Sequence, residues 1–379
     1  MREKSPKAVT RIEVEGFRSL RSVQIDLRRV MVLIGPNGAG KSNLLAFLQL
    51  VPLIHTESLQ RFVQQRGGAN ALLHYGAKKT PRARFRLEFH QDEVDNAYEV
   101  GLAYGAGDRL TLEDEYTFSR APGHAEFTKR IVSTSSQESL LRKQARDSDD
   151  PTLQTVSSWL SSINFFHFHD TSLTSALRQN AVAAQDRFLH SEGRNLAAFL
   201  YRLKNGDSRE DKAAWKRINM LVRRIAPAVQ ELNPVGVNPG EDPPRMVRLD
   251  WIDDQGENFG VQDLSDGTLR AIALVTALAQ PSSTLPAFIS IDEPELGLHP
   301  AAIALFAGLV RSVSNRCQVV LATQSPALLD HFDVEDVVVT ERVEGATNFR
   351  RLDKGALDDW LKEYSLSELF DKNLLGGRP

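Results

Sequence analysis

Residues 35–42 read Gly35-Pro36-Asn37-Gly38-Ala39-Gly40-Lys41-Ser42, with glycine first and sixth, then lysine and serine. This is the spacing of a phosphate-binding loop, and its flanks match. The apolar run Val30-Met31-Val32-Leu33-Ile34 precedes it, and a helix-like run, Asn43 to Leu50, follows. A strand–loop–helix unit of this kind commits the chain to an α/β core. Its glycines let successive backbone N–H groups turn inward around a phosphate chain. The helix that begins there adds its positive end. Asn37, Gly38, Ala39, Gly40, Lys41, Ser42 and Asn43 would surround the phosphates. Lys41 can reach the β- and γ-phosphates, and Ser42 can ligate Mg²⁺.

A second segment supplies the complementary chemistry. Ala287-Phe288-Ile289-Ser290-Ile291-Asp292-Glu293 is an apolar strand ending in two acids. A buried strand delivers Asp292 to its carboxyl end, where ligands of α/β sheets bind. Asp292 is placed to hold the metal and Glu293 to deprotonate an attacking water. A third segment, Leu264-Ser265-Asp266-Gly267-Thr268, comes just before a helix, Leu269 to Ala279. Ser265 there is an N-cap by residue type. A helix N-terminus with a serine hydroxyl and a close-approach glycine, Gly267, is also an anion site. Were it to face the γ-phosphate of a nucleotide held by a second copy, ATP would join two chains.

Composition narrows the class. The 379 residues are 41% hydrophobic and 25% charged, which is the balance of a globular protein. The net charge of −3 gives no overall attraction to DNA or anionic membranes. One cysteine, Cys317, rules out a disulfide framework. Met1 to Arg11 is charged and lacks an apolar segment, and no run approaches the ~18 apolar residues that span a bilayer. The expectation is a cytoplasmic protein with no membrane partner.

Along the chain, residues 9–34 read as two or three strands, and residues 81–118 as a mainly antiparallel β region in which Arg84 to Phe89 alternates in polarity. Residues 119–150 are polar and read as loop. Leu173 to Gln230 reads as an insertion of helices, without the sustained heptads of a coiled coil. Pro234 to Pro244 is a Pro/Gly-rich connector, followed by a hairpin of Met246–Ile252 and Asn258–Val261. Residues 263–341 alternate helix and strand, and the last forty look like a strand pair and a short helix ending at Pro379. We divide the chain into the N-terminal part of an ATPase head (1–134), a mainly helical insertion (135–240), the C-terminal part of the core (241–341) and a strand–helix tail (342–379).

These motifs in this order resemble the ABC-type ATPase heads of the SMC, RecF and OLD group. Ile12-Glu13-Val14-Glu15-Gly16-Phe17-Arg18-Ser19-Leu20 is similar to that group's opening strand, and Asp292-Glu293-Pro294-Glu295-Leu296-Gly297-Leu298-His299-Pro300 to its Walker B and D-loop. The likeness covers nearly the whole chain and is closest to the short stand-alone ATPases of the AAA family. It implies a P-loop ATPase core with an antiparallel β subdomain and a helical insertion. Two copies would sandwich two ATP molecules, with Ser265 and Gly267 acting on the nucleotide of the other copy. The resemblance suggests DNA repair or anti-phage defence with a separate effector, a nuclease or a toxin, and DNA as a further candidate partner. The alternative is a slow nucleotide-gated scaffold that holds such an effector inactive.

Three departures bear on this. Asp266 stands where transporters have glycine. Gln324, in Ala322-Thr323-Gln324-Ser325-Pro326, occupies the switch position usually held by histidine. It can donate a hydrogen bond but carries no charge, so turnover could be slow. No Q-loop glutamine is evident, and His169 or Asp170 of Phe165-Phe166-His167-Phe168-His169-Asp170 stands in its place. The tail after Gln324 is too short for an appended nuclease domain.

Weaker signals have plain readings. His167 and His169 alternate with phenylalanines and lack a third metal ligand, so they read as strand-end polar groups. His299-Pro300 reads as a helix start. The basic cluster Lys78 to Arg86 and the pairs Lys216-Arg217 and Arg223-Arg224 are DNA-contact candidates that read first as solvated faces.

Overall fold

Val30–Ile34 is buried at all five positions, as a strand covered on both faces must be. The computed structural model describes residues 8–91, 93–238, 240–241 and 243–377. Outside it lie Met1–Lys7 of the charged N-terminal stretch, Asp92, Pro239 and Asp242 of the connector, and Arg378–Pro379. Numbered along the chain, the first strands are β1 (Ala8–Phe17), β2 (Leu20–Asp26), β3 (Val30–Ile34), β4 (Arg82–Gln91), β5 (Val94–Gly105), β6 (Arg109–Arg120), β7 (Thr128–Ser136) and β8 (Ile163–Phe166). They continue with β9 (Ala181–Val182), β10 (Glu231–Gly236), β11 (Met246–Ile252), β12 (Asn258–Gly260), β13 (Phe288–Asp292), β14 (Gln318–Thr323), β15 (Val337–Val343) and β16 (Ala346–Arg351). The chain forms two units: residues 1–165, 286–290 and 317–379, and residues 166–285 and 291–316.

The first unit holds two six-stranded sheets. One has the order β16-β15-β3-β14-β13-β8, with β3 parallel to both β14 and β15. The other, β2-β1-β4-β5-β6-β7, is antiparallel throughout. In β4 the pattern is strict: Ala83, Phe85, Leu87 and Phe89 are buried while the arginines between them face outward. The helix Lys41–His55 shares the core of this sheet. Its Phe47 meets Phe17 and Phe85 edge to face, at 6.2 and 5.2 Å between centroids. Trp159 continues the core, stacked on Phe89 at 4.8 Å and tilted against Phe288 of β13 at 6.5 Å.

The second unit is built on the helices Leu196–Asn205, Arg209–Ile225, Asp266–Ala279 and Pro300–Val313, with a small sheet β10-β11-β12 to which β9 adds on β11. Ser208 caps Arg209–Ile225, which begins with Glu210 and Asp211 and ends with Arg223 and Arg224, the charge order that a helix dipole favours. Arg217 of that helix donates to the carbonyls of Ala279 (3.1 Å) and Gln280 (3.3 Å), satisfying the carboxyl end of Asp266–Ala279.

Four sequence expectations need correcting. Residues 119–150 are not loop: β7 pairs with β6, and a helix spans Leu141–Asp147. Residues 173–230 are helical only from Leu196, apart from one turn of 3₁₀ helix at Ala176–Arg178. The connector does not begin at Pro234, which lies in β10, an outer strand where a missing N–H leaves no gap in the ladder. The arginines of the 78–86 cluster are neutralised rather than free. Arg82 pairs with Glu113, Arg84 with Glu99 and Asp114, and Arg86 with Glu88 and Glu99.

His55, at the end of Lys41–His55, is buried, and its Nε2 shares a hydrogen bond with Ser157 Oγ at 2.8 Å. Burial first, and then the charge of Arg142, lower its pKa from 6.5 to about 4. The unfolded chain therefore binds the extra proton first, and stability that is complete above 6.5 is lost as pH falls toward 4. We expect this to cost up to ~3 kcal/mol at the acid end. Urea unfolding at neutral pH and at about pH 5 should show it, and a His55→Gln variant, which cannot titrate, should show a flatter slope.

Candidate nucleotide-binding site

The first unit carries the loop. From the end of β3 the chain passes through Gly35–Gly40, and the helix starts at Lys41 with Gly40 as its N-cap. Gly38 (φ 78°) and Gly40 (φ 114°) are left-handed, so the turn depends on glycine at both. A Cβ on Gly35 would strike the Thr340 carbonyl oxygen, and one on Gly40 would strike Thr347 Oγ1. Gly38 faces open space. Behind the loop is a small polar knot. Thr347 Oγ1 donates to the Ala39 carbonyl at 2.9 Å and lies 2.6 Å from Ser19 Oγ. Asn43 Nδ2 donates to that same serine oxygen at 2.6 Å. The buried Lys41 turns its ammonium back to the carbonyls of Gly35 (2.5 Å) and Pro36 (3.0 Å).

Asn37, Gly38 and Ser42 are exposed, Asn43 is half-buried, and Ala39 is buried. Gln324 follows β14 directly. With Gly35, Pro36 and Asn37 it lines a cleft of about 810 Å³, closed on its other side by Glu341, Arg342 and Phe370. This unit therefore brings the switch-position glutamine to the mouth of the loop.

The second unit carries the other candidates. Asp292 ends β13, and Glu293 follows with a positive φ of 41°, an uncommon backbone state for a non-glycine residue. His169 lies against both. Its Nε2 is 3.0 Å from the Asp292 carbonyl, and its Nδ1 is 3.9 Å from Glu293 Oε2. The ring stacks on His167 with centroids 4.3 Å apart. Asp170 instead closes a turn, accepting from Ser172 N and Oγ at 3.0 and 2.7 Å. Of the two residues considered for the missing Q-loop, His169 is the one that touches the acidic pair. Among the described residues no cluster of histidine, cysteine or acidic side chains suits a metal by itself.

Ser265 caps Asp266–Ala279, accepting from Thr268 N at 3.2 Å. Its side chain is exposed. Gly267 abuts the Gly297 carbonyl so closely that a Cβ would collide with it. His299 caps Pro300–Val313 through Nδ1, 3.3 Å from Ala301 N.

The chain matches, over residues 30–330, the family described as "AAA domain, putative AbiEii toxin, Type IV TA system". It belongs to that family. Its fold is that of the SMC head. It resembles the SMC head bound to the C-terminal winged-helix domain of ScpA at 15% identity and a TM-score of 0.61, covering 93% of this chain and 99% of the other. It also resembles the Pyrococcus furiosus SMC head with an extended coiled coil (14%, TM-score 0.60, 94% and 99%). A third likeness is to the Pyrococcus yayanosii SMC head with coiled coil and joint (13%, TM-score 0.55, 94% and 99%). No curated protein matches in sequence.

An AAA-family chain with an SMC-like, ABC-type P-loop ATPase fold is thus in hand, and its residues suit ATP and Mg²⁺. The loop offers backbone amides at left-handed glycines and one ammonium. Ser42 of the first unit and Asp292 of the second each carry a hard oxygen donor, the kind magnesium takes.

Several positioning residues of this AAA-family chain were missed by sequence reading. Arg270 is buried in the signature helix, Asp266–Ala279, which opens at the signature segment Leu264–Thr268, and donates to the carbonyls of Phe168 (2.9 Å), His169 (2.8 Å) and Leu296. It joins the His169 loop, the helix and the turn after Glu293. Burial lowers its pKa, against the pull of Asp266 and Glu293. The clue was available: after Asp266, Arg270 is the one charge in an otherwise apolar helix. Arg178 is also buried. It bonds the carbonyls of Thr171, Val261 and Leu264 and pairs with Asp266 at 3.0 Å, which gives the aspartate of the signature a structural role. Thr347 carried no signal, since its bonds to Ala39 and Ser19 cross most of the chain.

Arg270→Met should leave three carbonyls without their donor and destabilise the protein by about 2–4 kcal/mol in urea unfolding. Arg270→Lys should recover only part of this loss, because an ammonium cannot match the guanidinium's fixed fork.

Proposed function

We propose that two copies of this chain close around two molecules of ATP and hydrolyse them. Each site would use Lys41, Ser42, Asp292 and Glu293 of one copy and Ser265 and Gly267 of the other. The observation that carries this reading is the preformed phosphate loop, with left-handed glycines, Gly40 braced by Thr347 and its lysine held on the loop's own carbonyls. Asn37 to Asn43 take the phosphates, and Lys41 balances charge on the β- and γ-groups. Magnesium, held by Ser42 and Asp292 when bound, neutralises phosphate charge. Glu293 accepts a proton from water as its oxygen bonds to the γ-phosphorus, and the bond to ADP breaks. His169 lies 3.9 Å from that carboxylate.

We place the activity in the cytoplasm and assign it to control of a DNA-related process, repair or anti-phage defence, through a separate effector. The family description names a toxin and a toxin–antitoxin system, which supports the toxin among those effectors. An SMC head of similar fold is bound to the C-winged helix domain of ScpA. Among the described residues no helix is long and apolar enough to cross a membrane. One observation favours a second reading. The switch position beside the loop holds the uncharged Gln324, which suits slow turnover and a scaffold that holds its effector inactive while ATP is bound.

Glu293→Gln keeps the shape and removes the base, so it should bind ATP, run as a dimer in light scattering, and lose ~10²–10⁴-fold in hydrolysis. Lys41→Ala should lose both binding and dimerisation. A Glu293→Gln protein that stays monomeric at saturating ATP and Mg²⁺ contradicts the sandwich.

A further inference from the structure

A second cleft in the first unit is lined mainly by cationic and polar side chains. The helices Leu141–Asp147 and Pro151–Leu160 border a cleft of about 700 Å³, within the range of ligand sites. Arg142, Lys143 and Arg146 line it from the first helix and Gln154, Ser157 and Ser158 from the second. Glu57 is the one carboxylate in the lining. Arg146 bonds Asp147 at 2.9 Å, but among the described residues Arg142 and Lys143 form no ion pair. The Ser157 hydroxyl is fixed from below by the buried His55.

Among the described residues Lys216, Arg223 and Arg224 also form no ion pair, but the remaining basic side chains of the other clusters are largely engaged. The arginines at 82, 84 and 86 face carboxylates, and Arg217 is committed to the end of a helix. Lys79 lies over the Tyr75 ring. In the cleft the two cations remain available, beside hydroxyl and amide donors. Guanidinium, ammonium, hydroxyl and carboxamide are the groups that contact phosphate and sugar in nucleic-acid complexes. No aromatic side chain lines the cleft, so nothing there stacks on a base.

We propose that this cleft is a second phosphate-binding site, independent of the P-loop, which holds the phosphodiester backbone of a nucleic acid without reading its sequence. It operates without ATP and so goes beyond the function proposed above.

The test is fluorescence anisotropy with a labelled oligonucleotide, as single strand and as duplex, on the full chain without nucleotide. Binding should ignore sequence and weaken steeply with salt. Arg142→Ala with Lys143→Ala should lower affinity at least ~10-fold. The slope of log affinity against log salt should fall by about 1.4 for the single strand and about 1.8 for the duplex. Arg223→Ala with Arg224→Ala should change neither. ATP binding by the same double variants, measured separately, should be unaltered, which keeps failure here distinct from failure of the P-loop reading. Three results overturn the proposal: no binding by the native chain at low salt, an unchanged affinity in the Arg142/Lys143 variant, or displacement of the oligonucleotide by an equal concentration of inorganic phosphate.

Discussion

The loop can present its amides only because Gly40 sits at φ 114° with the Thr347 hydroxyl against it. That conformation admits no side chain, and the space a Cβ would need is taken. Thr347 is on β16, more than three hundred residues from the loop, and its hydroxyl bonds both the Ala39 carbonyl and Ser19. Ser19 in turn receives Asn43 from the first turn of the helix. The loop is therefore fixed on its inner side before any phosphate arrives, so binding does not have to supply the ordering free energy of a flexible segment.

The second unit is organised by buried guanidinium groups. Arg270 and Arg178 each satisfy several carbonyls that no helix or sheet ladder reaches. A charge this deeply placed is tolerated because every face of it meets a carbonyl or carboxylate. Arg270 makes the His169 loop, the signature helix and the turn after Glu293 into one polar cluster.

Much of this was legible from the sequence. The P-loop, the buried strand 30–34, the antiparallel β4–β6 region and the caps at Ser265 and His299 follow from spacing, alternation and residue type. What escaped depends on distant partners. β7 reads as polar loop because it borders its sheet and shows water four of its first five residues through Val132. Residues 183–195 contain few glycines or prolines, so they resemble helix. Their backbone is instead held by the buried side chain of Asn195, which bonds the carbonyls of Gln185 and Phe188 and the amide of His190. Periodicity cannot reveal a bond of that kind. The same limit hid Thr347 and left His169 and Asp170 undivided until their partners were seen.

Backbone hydrogen exchange with and without ATP and Mg²⁺ addresses the central claim most directly, because it reports on loop and signature together. The account predicts slowed exchange at residues 35–43 at any protein concentration. It predicts slowed exchange at residues 264–268 only as concentration rises, since that protection comes from a second molecule. Protection confined to the loop at all concentrations contradicts the two-copy site, and no protection at the loop contradicts the account altogether.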